Sequence, residues 1–335
     1  MKPFYVFSDT ERDTLCSVFS ENKLSPYENY GAFSNFIEDL ASGNRLPSSF
    51  RDLCESIYLD RQNGKLVHLL GNSPVDEIIP TLDHDDPVAD KYRLKTTFVG
   101  ETFLGIFAYL LRTPLMSYKT RNNGDFFTDV VSINRFRGMR TGFTDGDLIY
   151  HNDRTSHPVR ADFITLLGMR CPKSDLVYTS FVDGADILGY LSDDEINILS
   201  QPWYHTVVDD LTRETNQDWH LSEAHPIVLG DRTIRFQDTL TKPLPTAPTE
   251  AYTALLEFKD GIVKSPKTRH CLRNGDLFVF PNQQGLHNRE RIEINDSDEA
   301  SRRWLLKTYS LKDAATRDSY AKYWADGVVG CALDF

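Results

Sequence analysis

The chain of 335 residues contains no apolar run approaching the roughly 20 residues that a membrane-spanning helix requires. Cysteine is sparse: Cys16, Cys54, Cys171, Cys271 and Cys331 are odd in number and never spaced as CxxC, which points to reduced thiols and not to a disulfide framework. The start, MKPFYVFSDTERD, lacks the basic segment, apolar stretch and small-residue cleavage site of a signal peptide, so a cytoplasmic location is expected. Positive charge is in the minority. With 37 Lys and Arg against 49 Asp and Glu the formal net charge is -12, a surface that repels a phosphate backbone, and neither nucleic acid nor membrane is an expected partner. Repeats, low-complexity segments and linkers are missing too, so residues 1–335 are expected to form one domain. Nothing in the pattern sets an oligomeric state.

What is present begins with helical periodicity. Leu15, Val18 and Phe19, then Phe33, Phe36, Ile37 and Leu40, then Phe50, Leu53 and Ile57 each share a face, and residues 98–112 read as a buried helix closed by Thr113-Pro114. Residues 1–112 are therefore expected to be mostly helical. From Asp125 the texture changes to short β-rich runs, FFTDVVSI, DLIYHND, DFITLLGMR and DLVYTSFVDG, separated by Asn, Gly, Asp and Pro. Residues 185–245 open with a helical pattern, continue as polar irregular sequence and read as a lid ending in a hairpin about Gly230-Asp231. A helix over about 249–260, strands in NGDLFVFPN and RRWLLKTYSL, and a closing helix within 312–335 complete the reading. The pattern is mainly β with added α.

The residues that carry chemistry start at LIYHNDRTSHPVRADF. Residues i and i+2 of a strand face the same way, so His151 and Asp153 can grip one metal ion. His287 follows 287 − 151 = 136 residues later, just after a strand, and supplies a third ligand. Two histidines and one carboxylate on one face of an octahedral ion leave the opposite face open, the arrangement of non-haem Fe(II) sites that activate oxygen. Spacing alone is weak, because His84-Asp85-Asp86 repeats it inside an acidic loop where capping is the simpler role. Two arginines, Arg302 and Arg303, enter the strand beyond His287, and a guanidinium there can hold a dicarboxylate bidentately. The plain alternative is a surface arginine neutralising Asp296, Asp298 and Glu299.

His151, Asn152 and Asp153, with His157, Arg160, Asp162 and Phe163 after them, resemble the H-x-E/D, H, R-x-D-F signature of the clavaminate synthase-like and taurine-dioxygenase-like Fe(II)/2-oxoglutarate oxygenases, in their amino acid hydroxylase branch. The late block GDLFVFPNQQGLHNRERIEI and the following RRWLLKTY resemble that family's distal-histidine and arginine segments. The resemblance runs from about Phe98 to Leu311. It implies a double-stranded β-helix, or jelly-roll, over 113–311, with Fe(II) on His151, Asp153 and His287. It also implies 2-oxoglutarate as cosubstrate, held by Arg303 with Arg302 as the alternative and with Thr179 as a hydrogen-bonding partner. Oxygen is the further cosubstrate, and succinate and CO2 the by-products. A carboxylate at 153 favours hydroxylation over halogenation, which in related enzymes uses a small residue there.

By the same resemblance the substrate is a small molecule, a free amino acid with a basic side chain slightly favoured. Asp238 in RFQDTL is placed to meet such a side chain, and Tyr118, Thr120 and Arg121 in YKTRNN to meet the amino acid's backbone. Desaturation or action on a carrier-bound residue belongs to the same group of enzymes. Two other classes compete: a non-catalytic jelly-roll binder, and a zinc hydrolase on the same three ligands. His157, followed by Pro158, reads as a supporting residue beside the site, and His220 and His225 as solvent-facing lid histidines.

Overall fold

The computed structural model describes every residue except 137–147, 175, 210–211, 214–217, 291–297, 299–300, 326 and 334–335. Helices come first in the chain, as the periodicity predicts: α1 (Asp9–Phe19), α2 (Tyr30–Ser42), α3 (Ser48–Gln62), α4 (Pro87–Leu94) and α5 (Val99–Leu110). Ser8 and Glu11 form a reciprocal capping box on α1, and Asp86 caps α4 through the amide of Ala89 at 3.0 Å. The rival His84-Asp85-Asp86 motif is thus spent on a helix start. Two short strands the helical reading missed, β1 (Tyr5–Val6) and β2 (His68–Gly71), lie between and beside these helices and extend the larger sheet. Their apolar runs are too brief to show a period of two.

The β-rich half supplies β3 (Leu115–Tyr118), β4 (Thr128–Val131), β5 (Leu148–His151), β6 (Phe163–Arg170) and β7 (Tyr178–Asp183). Then come α6 (Gly184–Leu188), α7 (Asp193–Leu199), β8 (Tyr204–Thr206), β9 (Thr241–Pro243) and α8 (Thr249–Lys264). The chain closes with β10 (Thr268–Cys271), β11 (Leu277–Pro281), β12 (Gly285–Arg289), β13 (Trp304–Ser310), α9 (Ala314–Ser319) and β14 (Cys331–Ala332). The closing helix covers only Ala314–Ser319, and a 3-10 turn over Ala321–Tyr323 and strand β14 occupy the rest of the stretch expected to be helical. The predicted hairpin at Gly230 is a single bridge, Val228 with Ile234.

An eight-stranded sheet runs β1-β2-β11-β6-β13-β3-β14 with β4 also on β13, and a four-stranded sheet runs β10-β7-β12-β5. Three apolar layers follow. Leu166, Phe278, Phe280, Leu305 and Tyr309 of the large sheet meet Phe181 of the small one inside the roll. Leu167, Val279, Trp304 and Leu306 point the other way and bury the helices through Phe33, Ile37, Phe50 and Phe103. Outside the small sheet, Val182 and Leu286 pack on Ile187, Leu199, Tyr204, Ile227 and α8. The stretch 185–245 is therefore not an irregular lid: much of it is a packed outer layer, which the polar residues between its apolar anchors conceal in the sequence. His225 is a correction of the same kind. It is 2 % exposed, with its ring between the hydroxyl of Thr206 at 2.9 Å and the carbonyl of Pro226 at 2.8 Å, while His220 is exposed. No described helix is long and apolar enough to cross a membrane.

Candidate active site

The small sheet brings the three predicted ligands together. β5 and β12 pair antiparallel so that His151 stands directly opposite His287. On its other side β12 lies so close to β7 that any Cβ at Gly285 would come within 2.3 Å of the Val182 carbonyl. Beyond His151 the chain turns at Asn152, whose amide donates to the carbonyls of Asn282 and of Gly285, the latter at 2.8 Å, and whose carbonyl accepts from the amide of Phe236 at 2.8 Å. Asn282 returns the grip: its side chain accepts from the amide of Asp153 at 2.8 Å and donates to the carbonyl of Asp153 at 3.2 Å. Asn282 thus holds the backbone of the carboxylate residue at both its amide and its carbonyl, and Asn152 ties the turn to the end of β11, to β12 and to Phe236.

The donor atoms converge. One ligand atom from each of His151, Asp153 and His287 lies within 4.8 Å of the others. Nε2 of His151 is 3.2 Å from Oδ1 of Asp153, and Nε2 of His287 is 3.5 Å from the same oxygen. The Nδ1 of His151 faces the Ile149 carbonyl at 2.7 Å; a carbonyl only accepts, so Nδ1 carries the proton and the Nε2 lone pair faces the centre. The His287 ring rests on Phe280 with centroids 4.9 Å apart. Burial lowers the pKa of His287 to about 4, helped by His151. Burial pushes Asp153 the other way, but Lys307 and the two facing histidines outweigh it and hold the carboxyl well below its usual range. Neutral imidazoles and an ionised carboxylate are the forms a divalent ion requires.

Two residues the sequence reading overlooked sit on the same carboxylate. Lys307 reaches Oδ2 of Asp153 at 3.0 Å, and the hydroxyl of Tyr309 donates to it at 2.8 Å. Burial, with Asp153 beside it, keeps the Tyr309 phenol protonated and therefore a donor. A lysine inside the apolar run WLLKTYS was the available signal, since strand alternation puts Lys307 on the same face as Leu305 and Tyr309.

Of the paired arginines, Arg302 is exposed and Arg303 is 9 % exposed. Burial pulls the Arg303 pKa down, the thiols of Cys171 and Cys271 lie beside it, and no carboxylate pairs with it among the described residues. Asp296 and Glu299, its alternative partners, lie outside the described residues, and Asp298 is exposed. Thr179 is 5 % exposed and stands on β7 opposite His270 and Arg289, two residues before Phe181, which stands opposite His287. It therefore faces the same way as Phe181, into the roll.

The candidate substrate residues are less alike. Tyr118 is wholly buried, its hydroxyl bound to the Val159 carbonyl at 3.1 Å and its ring edge-on to Tyr309 at 5.3 Å. Arg121 is paired with Asp209 at 2.6 Å and Thr212 at 2.7 Å, a cluster that Arg154, the residue after Asp153, joins through Thr212 at 2.8 Å. Thr120 and Arg121 also line a cavity of about 400 Å3 with Asn123 and Arg135, to which no triad residue contributes. Asp238 neighbours the site through the bridge of Gln237 with His151, but Lys259 holds its carboxylate at 2.8 Å. The Nδ1 of His157 accepts from the backbone amide of Val159 at 2.9 Å and its Nε2 donates to the Leu333 carbonyl at 3.0 Å, a structural place.

Similarity to known proteins agrees with this architecture. No family model matches the chain. L-asparagine oxygenase of Streptomyces coelicolor is 26% identical over 216 residues, which take in 64% of this chain and 62% of that relative. The crystal structure of asparagine oxygenase with Fe(II), 2S,3S-3-hydroxyasparagine and succinate superposes with a TM-score of 0.81 at 18% identity, covering 99% of both chains. That of the non-haem iron oxygenase OrfP with Fe and alpha-ketoglutaric acid gives 0.80 at 18% identity, covering 99% of this chain and 100% of that one. The chain has the fold of these two non-haem iron oxygenase structures. The small sheet carries His151 and His287, with Asp153 just beyond the end of β5, while β13 of the large sheet carries Lys307 and Tyr309 and Arg303 immediately precedes it.

Proposed function

We propose that this chain is a 2-oxoglutarate-dependent oxygenase that inserts one oxygen atom into an unactivated C–H bond of a free amino acid, forming succinate and CO2. The observation that carries the reading is a pairing inside the roll: three converging metal-ligand side chains, and a buried guanidinium, Arg303, that has no carboxylate of its own among the described residues. The donor set suits Fe(II), and the unpaired arginine suits the far carboxylate of a dicarboxylate acid. Support also comes from relatives and neighbours of the same fold, whose structures hold Fe(II), alpha-ketoglutaric acid, succinate and hydroxylated asparagine or arginine.

Nε2 of His151, Oδ1 of Asp153 and Nε2 of His287 would hold the ion, which when bound supplies the activation of oxygen coupled to decarboxylation of 2-oxoglutarate. The chain's own part is placement. Arg303 and Thr179 orient the cosubstrate, and the apolar lining of Phe181, Phe280 and Leu305 keeps water from the reacting centre. Arg121 and Arg154, with Asp209 and Thr212 between them, offer charge for the amino acid's own carboxylate and amine. Because Lys259 already neutralises Asp238, the side-chain preference rests on that cluster and not on Asp238.

The test is an amino acid panel with Fe(II), ascorbate and 2-oxoglutarate, reading succinate and a product heavier by about 16 mass units, one oxygen atom. Succinate tied to one amino acid, and its loss in Asp153→Ala, supports the reading. Tight Fe(II) binding without turnover of 2-oxoglutarate on any member of the panel overturns it.

A further inference from the structure

A carboxylate has two oxygens, and a metal ion will take both when both are free. A bidentate Asp153 would fill a coordination position that an oxygenase must keep for cosubstrate or oxygen. In this chain the two oxygens have separate environments. Oδ1 faces Nε2 of His151 at 3.2 Å and Nε2 of His287 at 3.5 Å. Oδ2 is turned to the large sheet, where Lys307 at 3.0 Å and the Tyr309 hydroxyl at 2.8 Å saturate it. Lys307 and Tyr309 are alternate residues of one strand, so their spacing is fixed by the β13 backbone. That strand is anchored along its length, pairing with β6 from Trp304 to Ser310. The Tyr309 ring is held edge-on by Tyr118, and the backbone of Asp153 is held by Asn282.

We propose that Lys307 and Tyr309 are positioning residues that clamp Oδ2 of Asp153, so that this residue binds the metal through Oδ1 alone. The inference rests on the metal-site reading given under Proposed function. Hydrogen-bonded partners behind a ligand commonly change metal affinity by about 10–100-fold when removed, which sets the expected scale. Tyr309→Phe removes one donor without altering ring packing or charge. Lys307→Met removes the other donor but also a positive charge that opposes a divalent ion, so affinity alone does not read its role; coordination number does.

The experiment titrates Mn(II) into the apo-protein without cosubstrate or amino acid, following affinity by calorimetry and the number of ion-bound waters by water-proton relaxation. Tyr309→Phe is expected to bind Mn(II) about tenfold more weakly than wild type. The double variant Tyr309→Phe with Lys307→Met is expected to carry one bound water fewer, its freed carboxylate having become bidentate. With Tyr309→Phe, Lys307→Arg in place of Lys307→Met is expected to keep the wild-type water count. Unchanged affinity in Tyr309→Phe together with an unchanged water count in the double variant overturns the clamp, and thermal melts of each variant identify any loss of fold. If the wild type binds no divalent ion, the metal site itself is wrong, a result distinct from binding that the variants leave unaltered.

Discussion

Two regions of the molecule bury charge, and they do so in opposite ways. Between the helices and the large sheet, Lys91 is wholly buried and meets Asp125 at 3.0 Å and Asp129 at 2.7 Å, while Lys95 meets Asp76 at 2.8 Å and Glu101 at 3.2 Å. Tyr27 donates to Glu101 at 2.6 Å and the Trp304 indole to Asp129 at 2.9 Å. Each of these two lysines has two carboxylates, and the network around them is closed. Inside the roll the pairing is incomplete: Arg303 is buried with no carboxylate partner among the described residues, and Asp153 gathers several donors on a carboxylate aimed at two imidazoles. Burying a charge without a partner costs several kcal/mol. A closed network serves the fold, whereas an open one marks a place where ligands complete the charge.

Breaking the closed network should give the largest effect. Lys91→Met strands Asp125 and Asp129, and urea unfolding is expected to show a loss of about 3–5 kcal/mol, with the KM for 2-oxoglutarate unchanged in whatever protein folds. Arg303→Met should do the reverse. The KM for 2-oxoglutarate is expected to rise about 100-fold, which corresponds to roughly 3 kcal/mol, while stability without ligands stays level or increases. Destabilisation of Arg303→Met on the scale of Lys91→Met would erase the contrast between the two regions.

A smaller effect concerns acid. Burial, the leading cause in each case, lowers His68 to about 4 and His157 and His225 to about 3; arginines add to it, Arg61 for His68, Arg154 for His157 and Arg235 for His225. The unfolded chain binds these protons near pH 6.5 and the folded chain does not, so the stability they contribute is full above pH 6.5 and drains away as pH falls through 4 and then 3. A proton titration by NMR is expected to show His68, which has Asp60 at 3.5 Å, titrating about one unit above the other two. Identical midpoints would show that the arginines of the roll add nothing to burial.

Much of the site was legible because it is local or periodic. The spacing of His151 and Asp153 named the right pair, but not through a shared strand face, because β5 ends at His151 and Asp153 stands beyond the turn at Asn152; GDLFVFPNQQGLH announces the strand before His287 through its Gly-Asp start and apolar run. The choice between Arg302 and Arg303 was not legible. Adjacent residues point to opposite sides of a strand, but β13 has a register shift between Trp304 and Leu305 that breaks the simple alternation just there. His225 and the packed layer around 185–245 escaped because their apolar anchors, Leu199, Tyr204, Ile227 and Ile234, are separated by polar residues and gather only against α8.

The sequence by itself determined the ligand types, their order, the helical and strand segments of the strongest period, and the excess of acid over base. These follow from covalent spacing and from the fixed repeat of strands and helices. Only the tertiary structure decided which cation faces which oxygen. Lys307 and Asp153 are 307 − 153 = 154 residues apart, and they meet at 3.0 Å because β13 and β5 lie in different sheets that close over one core. A contact between sheets depends on how two surfaces pack, and no local pattern in either strand encodes it.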